Sequence, residues 1–330
     1  MKEYKVVMHN PIKYLLVKVC VFLLPLLGGA ELAGYIADSG LKRTKLIDYK
    51  LWSRLDEDRN VDADLLIMGN SRASCHINPD ILDSILPVHS YNLGLHAGIL
   101  PLQFHIWQLY IKRNQKPRTI VWNVDWGTLS DEDDLSGRKS HYLPWCNDPD
   151  WKQIIEKAGF SFFDKYIPCW KYVGRSDLLI KGFGEYTGIS ESDYGIPFIL
   201  SYKRGYIRVD DRLPKQEWRL RHDFKTGNFD ATEDFLRMCR REKIQVIFYY
   251  SPVYAPFRKS CDPYIITYAA IDSLAKVWNI PFLDYSQVPE SSDPALFKDD
   301  IHLNSKGADW LSRRLGHDLD SLQTEMKIKL

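Results

Sequence analysis

The chain has 330 residues, 45% hydrophobic and 26% charged, a balance that supports a large buried core and excludes a disordered or low-complexity protein. Lys and Arg total 44 against 43 Asp and Glu, a net charge of +1, so the footprint of a nucleic-acid-binding protein is missing. Six cysteines, at 20, 75, 146, 169, 239 and 261, include no C-x-x-C pair and no zinc-ligand spacing, which argues against a structural metal site and a disulfide framework.

The first predicted element is apolar. Val19 to Ala37 reads VCVFLLPLLGGAELAGYIA, with a single charge at Glu31, and is about as long as a bilayer-crossing helix. Lys2, Lys5, Lys13 and Lys18 precede it, an excess of positive charge that predicts a cytoplasmic N-terminus with the remainder outside. A cleaved signal peptide competes, with Val19 to Ala30 as its apolar region and Gly28-Gly29-Ala30 near the cut. Tyr35 and Ile36 carry the apolarity past that point and favour an uncleaved single-pass anchor. Either reading exports the rest of the chain to the periplasm or beyond. In that setting Cys146 and Cys169 are a candidate disulfide pair. Residues 1–41 are therefore read as cytoplasmic tail and anchor, and 42–62 as a polar connector.

Five short apolar runs bounded by turn residues follow: Leu65–Met68, Ser90–Leu93, Thr119–Val124, Gln245–Tyr250 and Pro281–Tyr285. Helical patterns lie among them, Leu100–Lys112 after the second, Ala231–Lys243 before the fourth, Asp262–Trp278 before the fifth and Lys306–Leu315 after it. Strands alternating with helices predict a three-layer α/β/α sandwich around a mostly parallel five-stranded sheet. Residues 63–126 and 226–330 form this domain. Between them 127–225 breaks the rhythm, with Gly, Pro and many aromatics, among them Trp145, Trp151, Phe162, Phe163, Tyr166, Trp170 and Tyr172. A stretch of that length is too long for a plain loop and predicts an inserted subdomain near the carboxyl ends of the strands. Its acidic run, Asp131 to Asp134, reads as a solvated loop, since the EF-hand spacing and glycine are absent.

The chemistry-bearing residues stand at strand ends. ADLLIMGNSRASCHI, Ala63 to Ile77, takes a buried-strand pattern straight into Gly69-Asn70-Ser71-Arg72. An ordinary turn would look the same. So would a serine held at the lip of a sheet where a helix begins, its hydroxyl and backbone N–H aimed at one spot. Near the other end, ALFKDDIHLNSKGADWL holds Asp299 and His302 three apart. In a tight turn or one helical turn, that spacing lets a carboxylate accept the imidazole Nδ1–H and leaves Nε2 to take a proton. Cys75, one turn beyond Ser71, reads as packed rather than reactive. His76, His89, His96 and His105 include no HExxH-type pair, and GFGEYTG, Gly182 to Gly188, lacks the spacing of a dinucleotide loop.

In conjunction, Gly-Asn-Ser after the first strand, Asn92-Leu93-Gly94 after the second and Asp-x-x-His after the last make the chain resemble the SGNH hydrolase superfamily, the GDSL-type esterases. The resemblance spans Ala63 to Leu315 without the insertion. It implies a flavodoxin-like sheet, Ser71 as nucleophile, His302 as general base, Asp299 as its orienting partner, and the Gly94 and Ser71 N–H groups as oxyanion donors. The chain departs from the family at the third strand, where Gly-x-Asn-Asp is expected and WNVDWG, Trp122 to Gly127, stands instead. Asn123 is the candidate donor there, early and within the strand, and Asp125 cannot donate when ionised. Loss of one oxyanion donor costs about 2.7–4 kcal/mol of transition-state stabilisation, and the Asn70 amide is the candidate replacement. Arg72 is a candidate anchor for an anionic substrate, or else a surface ion pair.

The resulting expectation is a serine esterase needing no cofactor, membrane-anchored and acting on an acylated glycan, such as an O-acetylated envelope polysaccharide, or on a small ester. The alternatives are an O-acyltransferase working with a membrane acyl carrier, and a non-catalytic envelope protein that retains the fold.

Overall fold

A computed structural model of the chain describes residues 11–57, 60–129, 134–191, 193, 195, 199–209, 227–259 and 262–325. Asp131 to Asp133 of the acidic run, residues 210–226 and Cys261 lie outside the described residues. In chain order the elements are α1 (Pro11–Leu41), α2 (Ile47–Glu57), β1 (Leu65–Met68), α3 (Ser71–His76), α4 (Pro79–Ile85), β2 (Ser90–Asn92), α5 (Leu100–Ile111) and β3 (Thr119–Asn123). There follow α6 (Lys152–Lys157), α7 (Phe162–Tyr166), α8 (Ser176–Thr187), β4 (Ile199–Lys203), β5 (Tyr206–Val209) and α9 (Phe229–Arg241). The last are β6 (Gln245–Tyr250), α10 (Ala255–Lys259), α11 (Asp262–Trp278), β7 (Phe282–Asp284) and α12 (Ser305–Thr324). Two compact units result, Met1–Lys45 with Leu135–Asp193, and Leu46–Asp134 with Tyr194–Leu330. The segment 127–225 contributes to both.

The second unit is built on a five-stranded parallel sheet ordered β2-β1-β3-β6-β7. Numbered within the sheet this is 2-1-3-4-5, the flavodoxin-like doubly wound order. Both faces are covered, which is why LLIM and TIVWN are continuous apolar runs rather than alternating ones. On one face Leu65, Ile67, Val121 and Ile247 pack with Ile77, Leu82, Leu311 and Leu315. On the other Trp122 meets both Phe248 and Phe235, and Phe235 stacks on Phe104 at 4.8 Å between centroids. Replacing Phe235 by Ala would cost about 3–5 kcal/mol. The antiparallel hairpin β4–β5 closes the β2 edge: Asn92 N–H donates to the Arg204 carbonyl at 3.0 Å, and the Arg204 guanidinium reaches Asp80 and Asp83. Because β2 and β3 flank β1, the strand order reverses there, and the carboxyl ends of β1 and β3 are where open sheets of this kind bind their ligands.

The first unit contains α1, the 3₁₀ turns Ser136–Trp145 and Trp170–Tyr172, and α6 to α8. The α1 helix outruns the apolar segment read from sequence and continues through Pro25. Among the described residues it is the one helix long and apolar enough to cross a membrane. Asp38 accepts from Lys171 Nζ at 2.6 Å and from the Tyr172 hydroxyl at 2.5 Å. The candidate Cys146–Cys169 disulfide is not formed: both thiols are free. Each is directed at a different carbonyl, Cys146 at Asp164 and Cys169 at Ala30. GFGEYTG is the end of α8, closed by Gly188 in the left-handed region.

Candidate active site

The turn after β1 is dictated by crowding. Gly69 has φ +142°, and a Cβ there would stand 2.7 Å from the Asn123 Cβ and 2.8 Å from the Ala73 Cβ, so no other residue fits. Asn70 then caps α3, its Oδ1 accepting the Arg72 N–H at 2.9 Å, as N-cap side chains do. Ser71 becomes the first helical residue. Its own N–H, one of the donors that a helix start leaves unpaired, has no hydrogen-bond partner among the described residues. The side chain is half-buried.

The segment before α12 reaches the same place. Asp299 Oδ1 accepts the backbone N–H groups of Ile301 and His302, at 3.0 and 2.8 Å, which folds the chain into a tight turn. Asn304 caps α12 by accepting from Lys306 and Gly307. Between these anchors His302 Nδ1 lies 3.0 Å from each Asp299 oxygen, and its Nε2 lies 2.8 Å from Ser71 Oγ. An ionised carboxylate only accepts, so Nδ1 carries the proton, and in the neutral ring Nε2 accepts from the serine hydroxyl. Burial alone would raise the Asp299 carboxyl. The hydrogen bond and charge of His302, the Ile301 N–H and Lys298 outweigh it and hold the pKa at about 2.

A histidine that sequence reading had only set aside as a metal ligand supports this turn. His76, fully buried at the end of α3, accepts the Leu303 N–H at Nε2 (2.9 Å) and so donates from Nδ1 to the Ser251 hydroxyl. It therefore ties the helix that begins with Ser71 to the residue after His302. Desolvation, then the charges of Arg72 and His302, push its pKa well below the usual 6.5. Nothing in SRASCHI marks this role beyond the apolar Ile77 beside it, which signals burial only. Cys75 is packed, as expected, and burial pushes its thiol up to about 11.

The remaining predicted residues are arranged differently from the expectation. Gly94 sits against α3, where a Cβ would stand 2.3 Å from Ser74 N, and its N–H donates to Asn92 Oδ1 at 2.8 Å. The Asn70 amide donates to both Asp125 oxygens, at 3.0 and 2.9 Å. Asn123 is fully buried, with its amide turned to the Tyr249 carbonyl at 3.4 Å and its Oδ1 without a partner. Of the four residues named as oxyanion donors, Ser71 alone presents an uncommitted N–H. Arg72 requires correction on both readings, since it is neither on the surface nor open to a substrate. It is 1% exposed, lies between the Trp126 and Tyr250 rings, pairs with Asp125 at 3.1 Å and donates to the Ser251 and Pro252 carbonyls. Asp125 in turn accepts the Gly127 and Thr128 N–H groups. Together they lock the turns after β1, β3 and β6.

No protein-family model matches the sequence, and no curated protein does so. Among solved structures, a Bacteroides fragilis protein provisionally assigned as an acylhydrolase is 15% identical, over 78% of this chain and 86% of its own, with a TM-score of 0.38. A GDSL-like lipase from Bacteroides thetaiotaomicron is 15% identical, over 81% and 90%, with a TM-score of 0.37. The fold class rests on the strand order and register: a three-layer α/β/α sandwich on a parallel sheet, of the kind the SGNH resemblance implies.

Proposed function

We propose that the protein is a membrane-anchored serine esterase of the SGNH type that forms an acyl-enzyme on Ser71. The observation that carries this reading is the continuous hydrogen-bonded chain from Ser71 Oγ through His302 to Asp299. Serine is a poor nucleophile until a base takes its proton, and attack on an ester carbonyl builds negative charge on oxygen. His302 Nε2 removes the Ser71 proton as Oγ attacks. The Ser71 N–H holds the oxyanion, and His302 returns the proton to the departing alcohol. Asp299 keeps the ring in the productive tautomer. Water then cleaves the acyl-serine in a hydrolase, or a sugar hydroxyl takes the acyl group in a transferase; the two share the acyl-enzyme and differ in the acceptor.

The anchor supports an envelope substrate: with the N-terminus cytoplasmic the Ser71 site lies outside the cytoplasm, where O-acetylated glycans are one class of ester, and an acylated glycan is our reading of the substrate. A fluorophosphonate probe tests the core of the reading. Labelling of the full-length protein that disappears in Ser71→Ala is expected, and an unlabelled wild type sinks it. Acetate release from acetylated xylan, with and without a sugar acceptor, then separates hydrolysis from transfer. One observation favours a second reading, a non-catalytic envelope binder: the Gly94, Asn70 and Asn123 groups are committed elsewhere, which leaves the Ser71 N–H as the one uncommitted donor among the four candidates.

A further inference from the structure

The α1-containing unit carries an exposed surface whose composition differs from that around Ser71. Along α7 and the turn Trp170–Tyr172, Phe162, Phe163, Tyr166, Trp170 and Val173 are all exposed, Tyr166 by 66% and Trp170 by 46%. They are contiguous: Phe162 meets Tyr166 at 4.7 Å between ring centroids, and Phe163 meets Trp170 at 5.3 Å. Soluble surfaces scatter such residues singly, so a continuous patch marks a binding surface.

The same unit indicates what covers it. Every described α1 side chain from Ile12 to Gly29 is exposed, and burial begins at Ala30. That exposed run is about 27 Å long at 1.5 Å per residue, close to the hydrocarbon thickness of a bilayer, provided that Lys13 and Lys18 in its first half snorkel back to the cytoplasmic surface. Cys169, next to Trp170, donates from Sγ to the Ala30 carbonyl at 2.9 Å, so the aromatic patch lies level with the point where α1 leaves its exposed run. From there α8 leads away along α1, with Gly182 against Ala37 and Gly40, then Glu185 at Thr44, and the exposed Ile189 beyond. Trp and Tyr favour the headgroup level of a membrane because their rings are apolar with a polar edge. The partly exposed Lys165 among them suits phosphate headgroups.

We propose that α7 and the turn from Trp170 to Val173 insert into the lipid interface beside α1, as a second contact that fixes this unit against the membrane. The proposal rests on α1 spanning the bilayer. To test it, the full chain is reconstituted in phosphatidylethanolamine–phosphatidylglycerol vesicles with the photocrosslinker p-benzoylphenylalanine placed singly at Phe163, Val173, Leu24 or Ile189. All four positions are exposed. Mass spectrometry is expected to find lipid adducts at Phe163 and Val173, as at Leu24, with the adduct lost at Ile189. Adducts at Leu24 alone overturn the proposal and leave the anchor standing. Chain-to-chain crosslinks at Phe163 and Val173 overturn it in favour of a second copy on the patch. Absence of an adduct at Leu24 removes the anchor itself, and the proposal with it.

Discussion

Ser71 and Arg72 are neighbours at the start of one short helix and enter opposite kinds of network. Ser71 is half-buried and bonded to His302, while Arg72 is sealed among two rings, Asp125 and two carbonyls. A helix advances about 100° per residue, so consecutive side chains point to different surroundings. One position keeps partial exposure and meets His302, and the next faces the interior. Reactive and structural polar groups thus sit one residue apart, distinguished by burial and partners rather than by residue type.

Ser71→Ala is the sharpest way to break this contrast, with an expected fall in kcat of about a million-fold. The urea midpoint should barely move, since only one half-buried hydroxyl is lost. Asp299→Asn comes next, with kcat expected to drop about 10⁴-fold because an amide can donate to Nδ1 and select the wrong tautomer. The same variant tests a pH effect. With its carboxyl held at about 2 against 3.8, Asp299 contributes about 2 kcal/mol of stability. That stability is present above the unfolded value and lost as pH falls through about 2, so urea midpoints between pH 4 and pH 2 should fall less steeply in Asp299→Asn than in wild type.

Arg72→Met probes the inert side. It leaves Asp125 buried without its cation and is expected to cost about 3–5 kcal/mol in urea unfolding. Arg72→Met combined with Asp125→Asn, which removes the buried charge but keeps an acceptor for the Gly127 and Thr128 N–H groups, should regain part of that loss. A raised KM with unchanged stability would instead restore Arg72 to the substrate. His76→Gln is expected to have the smallest effect, about 1–3 kcal/mol from the two buried hydrogen bonds. His76 is held neutral in the fold, so its contribution is full above pH 6.5 and declines below that value as the unfolded chain takes up the proton the buried ring refuses. The substitution should flatten that part of the stability curve, measured as urea midpoint against pH.

Much of the sheet was legible because parallel strands covered on both faces must be apolar along their whole length, and each of the five runs contains a strand of the observed sheet. The Asp299–His302 spacing was legible for a related reason: three residues are enough for a local turn, held here by two backbone N–H groups on one carboxylate. Gly94 and Asn70 carried the right residue types, yet the partners that occupy them, Asn92 and Asp125, are chosen by packing. His76 had no readable signal, because its two partners, Ser251 and Leu303, lie more than 170 positions away in sequence.

By itself the sequence determined the alternation of strands and helices, the apolar N-terminal helix and the chemical inventory at the strand ends, all set by local patterns of a few residues. The tertiary structure alone decided which of those groups meet and which are consumed. Whether a polar side chain remains open to a substrate depends on the partners that distant segments bring to it, and desolvation makes it costly for such a group to stay buried without one. Arg72 shows the result: a cation beside the candidate nucleophile, enclosed by Asp125 and Trp126 after β3, Tyr250 at the end of β6 and the carbonyls that follow it.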